Sequence, residues 1–193
     1  KNNSEDYFEK KIIKELKATV KRELVSDVPL GVFLSGGLDS STVTALMRKI
    51  NPSQEIKTYS VGFEHGGDFN ELEFAKKVSQ VFETTHKEFI IGPDILKELD
   101  KITYQMDEPM ADSALFPLHA ISQNASKEIT VALTGDGGDE LFAGYDHYKF
   151  LKYGDYIKNL PITPMRLGTK IGLRYPSLTN RFYKYGSKTG EKG

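Results

Sequence analysis

Two glycine-rich, acidic turns hold the residues of this chain best suited to chemistry: Ser35-Gly36-Gly37-Leu38-Asp39-Ser40-Ser41 and Thr134-Gly135-Asp136-Gly137-Gly138-Asp139-Glu140. In the first, Gly36 and Gly37 lack Cβ atoms, so backbone N–H groups can approach a ligand closely, and residues 38–41 open a helix whose free amides attract anions. Phosphate fits such a turn. Helix-end electrostatics contribute only about 0.3–1 kcal/mol at an exposed site, too little to neutralise a triphosphate, so a divalent cation is expected beside Asp39. The turn is not a Walker A loop, because its glycine spacing differs and no Lys precedes Ser40 or Ser41. If the strands before the two turns are parallel, both turns open on the same sheet edge, where α/β folds bind ligands. Asp39 and Asp139 are then placed to share one Mg²⁺, leaving positions for phosphate oxygens and water.

The elements that must position these turns follow from periodicity. Val32 to Leu34 and Ile129 to Leu133 are apolar runs without alternation, as expected of strands covered on both faces. Strands are expected near 31–35, 57–62, 85–90 and 129–134, and helices near 5–25, 39–49, 70–82, 93–105, 114–126 and 138–150. In the first helix Phe8, Ile12, Leu16, Val20 and Leu24 recur every four residues, which predicts a core-facing stripe. Strand and helix alternate throughout, so the fold class is α/β, a Rossmann-like doubly wound parallel sheet with right-handed crossovers. Residues 1–150 are read as the domain itself and 151–193 as a basic, partly helical extension of it.

The first turn resembles the ATP pyrophosphatase loop of adenine nucleotide alpha hydrolase-like enzymes, which cleave ATP between its α and β phosphates and adenylate a second substrate. Together with Val131 to Tyr145 it resembles the synthetase domain of glutamine-dependent asparagine synthetases. Lys21 to Gly31, Tyr59-Ser60-Val61-Gly62-Phe63 and Asp107-Glu108-Pro109 match that family in order and spacing. More distant pyrophosphatase-loop enzymes, which make NAD, GMP or thiolated tRNA, would explain residues 35–41 but not 134–145.

The resemblance implies ATP as nucleotide and Mg²⁺ as cation. It puts Leu34, Val61, Thr134 and Gly135 at the nucleotide, Ser35, Gly36, Gly37, Ser40 and Ser41 around pyrophosphate, and Asp39 and Asp139 on magnesium. Asp136 stands where many relatives carry Glu, a carboxylate tied to forming β-aspartyl-AMP. The implied reaction is ATP-dependent amidation of aspartate by ammonia, with a glutaminase domain in the full-length protein supplying the ammonia. Related synthetases that form β-lactams or amidate another carboxylate, and an ATP-binding module without catalysis, are the alternatives. The glutaminase domain and a later lysine-bearing segment of the family are not in this sequence, so the chain is expected to be a fragment that turns over poorly.

Composition bounds the rest. The chain has 193 residues, 38% of them hydrophobic, enough to bury a core. It has no cysteine, which excludes disulfides, thiolate metal sites and a cysteine nucleophile within it. No apolar run approaches the roughly 18 residues of a membrane span, and the reading is cytoplasmic. The net charge of −1 is uneven: residues 151–193 hold nine Lys or Arg against two acids, or +7, which leaves −8 for the remainder. A basic insertion of the resembled family explains that stretch better than nucleic-acid binding does. His65, His86, His119 and His147 are too scattered for a zinc site. His65-Gly66-Gly67-Asp68 is a turn that could flank the nucleotide, and Asp107-Glu108-Pro109 lies near the active site in the resembled family.

Overall fold

The computed structural model describes residues 4–148 apart from 66, 68, 69, 109, 111, 146 and 147. The basic stretch 151–193, like His147, lies outside the described residues. The chain divides into two compact units, Lys1–Asp136 and Gly137–Gly193.

The first unit runs α1 (Glu5–Glu23), β1 (Leu30–Phe33), α2 (Leu38–Ile50), β2 (Lys57–Phe63), α3 (Leu72–Val81), β3 (Thr85–Ile91), a 3₁₀ turn (Pro93–Glu98), α4 (Leu99–Met106), α5 (Leu115–Ala125) and β4 (Val131–Leu133). All strand pairs are parallel, in the order β3-β2-β1-β4, with Val32 beside Thr58 on one flank and beside Leu133 on the other. This is the doubly wound α/β architecture read from the sequence. Among the described residues no helix is long and apolar enough to cross a membrane.

Each face of the sheet has its own core. On one side Val32, Leu46, Met47, Ile56 and Val20 of α1 pack together; on the other Tyr59, Ile121, Ala125 and Ile129 do. Burial on both faces explains why β1 shows no alternation, and each such aliphatic side chain contributes about 1.5–3 kcal/mol. Strand β2 is less apolar than β1, yet Thr58, Tyr59 and Ser60 are all buried. Its polar atoms are satisfied: Thr58 Oγ1 meets Thr84 Oγ1 at 2.7 Å and His86 Nδ1 at 2.9 Å. Burial, the main effect, lowers the pKa of His86, although the nearby Glu88 carboxylate opposes it. Tyr59 stacks on Phe89 with 6.3 Å between ring centroids, and its hydroxyl donates to Glu128, which also pairs with Lys87.

Two expectations are modified. The α1 stripe is core only in its second half: Val20 is buried and Leu16 and Leu24 are partly so, whereas Phe8 is 51% and Ile12 40% exposed. The cause is length, since the 19 residues of α1 outrun the 13 of its neighbour α2, leaving roughly two turns without a surface to cover. The helix expected over 93–105 is a 3₁₀ turn entered at Pro93, followed by the eight residues of α4.

In the second unit α6 (Gly138–Phe142) ends where Ala143 turns left-handed at φ 56°, short of the expected limit at 150.

Burial, then the hydrogen bond to Glu128 and the negative charges of Glu128 and Glu55, push the Tyr59 hydroxyl up to about 12. With the folded value above that of an unfolded tyrosine, this stabilisation is complete below about pH 10 and is lost as pH rises toward 12. Denaturant titrations at pH 8 and pH 11 should show a loss of stability in the parent that is smaller in Tyr59→Phe; equal losses would remove Tyr59 as its source.

Candidate active site

In the order β3-β2-β1-β4 the chain leaves β1 toward one edge and returns to β4 on the other side, so the β1/β4 boundary is the topological switch point at which α/β sheets bind ligands. Both glycine-rich turns begin there. Leu34 N donates to Tyr59 O at 2.8 Å, and Ser60 Oγ donates to Leu34 O. The Leu34 side chain is 1% exposed, so this residue ends the strand with both backbone groups and its side chain engaged.

The next residues fold on themselves. Ser35 N donates to Ser40 Oγ at 3.2 Å, the two serine hydroxyls meet at 2.9 Å, and Gly37 N donates to Ser35 Oγ at 3.2 Å. Gly37 caps α2 in an extended conformation with no side-chain cap, and the first helical bond runs from Ser41 N to Gly37 O at 3.1 Å. The N–H groups of Leu38, Asp39 and Ser40 precede that bond, at the end of a helix that carries partial positive charge. The serines behave unequally. Ser35 is exposed, Ser40 is buried with its hydroxyl turned into the loop, and Ser41 Oγ is buried without a hydrogen-bond partner.

Glycine is required at two places for steric reasons. Gly36 has φ 85°, and a Cβ there would overlap Ala75 N and lie 2.6 Å from the backbone carbon of Phe74, at the start of α3. A Cβ on Gly135 would lie 2.7 Å from Ser40 N and 2.9 Å from Asp39 Cβ. The second turn therefore presses directly on the first turn of α2. Within it Asp136 N donates to Thr134 Oγ1 at 3.3 Å, and the Asp136 side chain is exposed.

The first unit thus gathers Ser35, Gly36, Gly37, Asp39, Ser40, Thr134, Gly135 and Asp136 at one sheet edge. Val61 lies on β2, half-buried against the core around Tyr59. Asp139 and Glu140 belong to the second unit, where Glu140 accepts from the Tyr145 hydroxyl at 2.6 Å. That bond is the main reason the Glu140 carboxyl sits below its usual range and the Tyr145 hydroxyl rises to about 12. Asp107 is the left-handed C-cap of α4 and is exposed, and Asp112 Oδ1 accepts from Ala114 N at 2.9 Å before α5. Pro109, Gly66 and Asp68 lie outside the described residues.

Sequence reasoning missed the parts that seat the turn: Ala75, fully buried where α3 meets Gly36, and Ser60, which holds the Leu34 carbonyl. The available signals were a small residue on the inner face of a predicted helix and a serine in the middle of a predicted strand.

The asparagine synthase family model matches residues 11–190. The chain belongs to the asparagine synthase family. Within it, the chain is 40% identical over 173 residues to a putative glutamine-hydrolysing asparagine synthetase of Methanocaldococcus jannaschii, covering 87% of this chain and 33% of that protein. It is 41% identical over 146 residues to asparagine synthetase 1 of Bacillus subtilis, covering 73% and 23%. A putative asparagine synthetase of Mycobacterium bovis is 37% identical over 135 residues, covering 69% and 20%. The chain therefore spans at most a third of the length of these relatives.

Gly36→Ala should lower stability by about 2–4 kcal/mol, combining a left-handed backbone penalty with overpacking, and Gly135→Ala by about 1–3 kcal/mol from overpacking alone. Urea unfolding of both variants checks this; parent-like midpoints would mean that the backbones are not in contact.

Proposed function

We propose that this chain carries the ATP-dependent synthetase half of asparagine formation: activation of the aspartate side chain as β-aspartyl-AMP, followed by displacement of AMP by ammonia. The observation that carries the reading is the contact of Gly135 with Ser40 and Asp39, which joins the two turns at the switch point of a sheet whose family is asparagine synthase.

The aspartate carboxylate attacks the α phosphorus of ATP, the bond to the bridging oxygen breaks, and pyrophosphate leaves with its electron pair. The N–H groups of Leu38, Asp39 and Ser40, at the positive end of α2, stabilise negative charge growing on that pyrophosphate. Gly36 and Gly37 let the phosphates come within hydrogen-bond distance, and Ser35 supplies an exposed hydroxyl. Leu34, Val61, Thr134 and Gly135 border the adenosine, with Leu34 and Val61 acting through their backbones because their side chains face the protein. Ammonia then attacks the acyl carbon and AMP departs. Asp136, exposed beside this turn, is assigned to the step that forms the adenylate.

The donor set fits magnesium, since Asp39 and Asp139 offer hard carboxylate oxygens. Among the described residues no group of three or more His, Cys, Asp or Glu gathers to hold a metal by itself, so phosphate oxygens and water must complete the shell. When bound, the ion would neutralise phosphate charge. Ammonia would come from a glutamine-hydrolysing domain of the kind named in the relatives.

Asp39→Ala should weaken magnesium-dependent ATP binding by about 10–100-fold or more, the usual range for losing support at a metal. Calorimetric titration with ATP, with and without Mg²⁺, measures it, and unchanged affinity would sink the role given to Asp39.

A further inference from the structure

The α6 turn uses its two small residues in an unusual order. A helix that ends with a left-handed residue usually has glycine there, because glycine carries no Cβ penalty. Here the left-handed position is Ala143, at φ 56° and ψ 42°, and the glycine follows it. Gly144 is not among the positive-φ residues, so its own backbone conformation does not call for glycine. Space does. A Cβ built on Gly144 would overlap Asp139 Oδ1 and lie 2.9 Å from Asp139 Cγ.

We infer that Gly144 is a positioning residue for the Asp139 carboxylate, which rests in the volume that a side chain at 144 would occupy. The inference rests on the proposed reading of Asp139 as a magnesium ligand. Two bonds keep the turn from swinging away to relieve such an overlap. Gly144 N donates to Asp139 O at 3.0 Å, and the Tyr145 hydroxyl donates to Glu140 at 2.6 Å. With the Gly144 backbone tied to that of Asp139 and the neighbouring side chains of Tyr145 and Glu140 joined, an added methyl group must displace the carboxylate, the member of the contact that can rotate. A carboxylate moved off its rotamer presents its oxygens to a cation in the wrong direction, which magnesium, with its demand for near-octahedral geometry, tolerates poorly.

The test titrates Mn²⁺, as a paramagnetic stand-in for Mg²⁺, into the whole chain with saturating pyrophosphate, reading free Mn²⁺ by electron paramagnetic resonance. Asp139→Ala, Gly144→Ala and the double variant are compared, with circular dichroism melts alongside. Gly144→Ala should weaken Mn²⁺ binding by about 10–100-fold, close to the effect of Asp139→Ala, with the helical signal kept. In the Asp139→Ala background the volume is already empty, so adding Gly144→Ala should cost nothing further. Parent-like Mn²⁺ affinity in Gly144→Ala, alongside a loss in Asp139→Ala, would overturn the inference and leave the magnesium reading standing. So would an equal loss from Gly144→Ala in both backgrounds, which would make it a general defect of the turn. No effect of Asp139→Ala, or no metal-dependent binding by the parent, would overturn the magnesium reading and this inference with it.

Discussion

At the carboxyl edge of β1, the backbone of residues 35–40 is wedged between two other backbones, with α3 touching it at Gly36 and the β4 turn touching it at Gly135. A side chain at either point would have to displace main chain, which a rigid α/β sheet cannot readily give. Everything else about the edge follows from that close approach. The turn is held tightly enough that the Ser35 and Ser40 hydroxyls bond to each other within it. A helix end held in this way suits the proposed role at pyrophosphate, since flexible amides would have to be ordered by the ligand at its expense.

Local chemistry was legible in the residues to the extent that it depended on neighbours in sequence. Val32 to Leu34 read as a strand covered on both faces, and the glycine pair read as a turn into a helix, because each pattern is complete within a few residues. The interior half of α1 read well for the same reason. Its outer half did not, because periodicity reports that a helix has an apolar side and not how long the neighbour beneath it is. The buried hydroxyls of Ser40 and Ser41 were equally hidden: serine next to a glycine turn looks like a ligand donor, and only the packed structure shows it turned inward. Thr58, Tyr59 and Ser60 form a buried stretch with a hydroxyl on every residue, which is possible because Thr84, His86, Glu128 and the Leu34 carbonyl satisfy them from outside the strand.

The amino edge of the sheet is secured by different means. Arg48, near the end of α2, donates to the carbonyls of Phe82 and Glu83 at 2.8 Å and to those of Pro52 and Gln54 at 2.8 and 2.9 Å. One planar guanidinium thereby ties the loop after α2 to the carbonyl-rich end of α3, including Glu83 in its left-handed conformation. Among the described residues the carboxyl edge shows no comparable charged clamp in the same helices and relies on the meeting of glycines. Rigidity at one edge and bare backbone at the other divide the work of a single helix–strand–helix layer.

The pairing of β1 with β4 joins residues about 100 apart in sequence, Leu30 with Val131, whereas β1 meets β2 and β2 meets β3 over far shorter separations. Closing so long a loop costs conformational entropy before any contact offsets it, and such contacts form late. A growing chain would therefore finish residues 35–41 and the three-stranded part of the sheet well before the segment that braces them emerges. Until then the free edge of β1 stays open to pairing with any other strand. Bracing of the turn at residues 35–41 and closure of that edge are one and the same folding event.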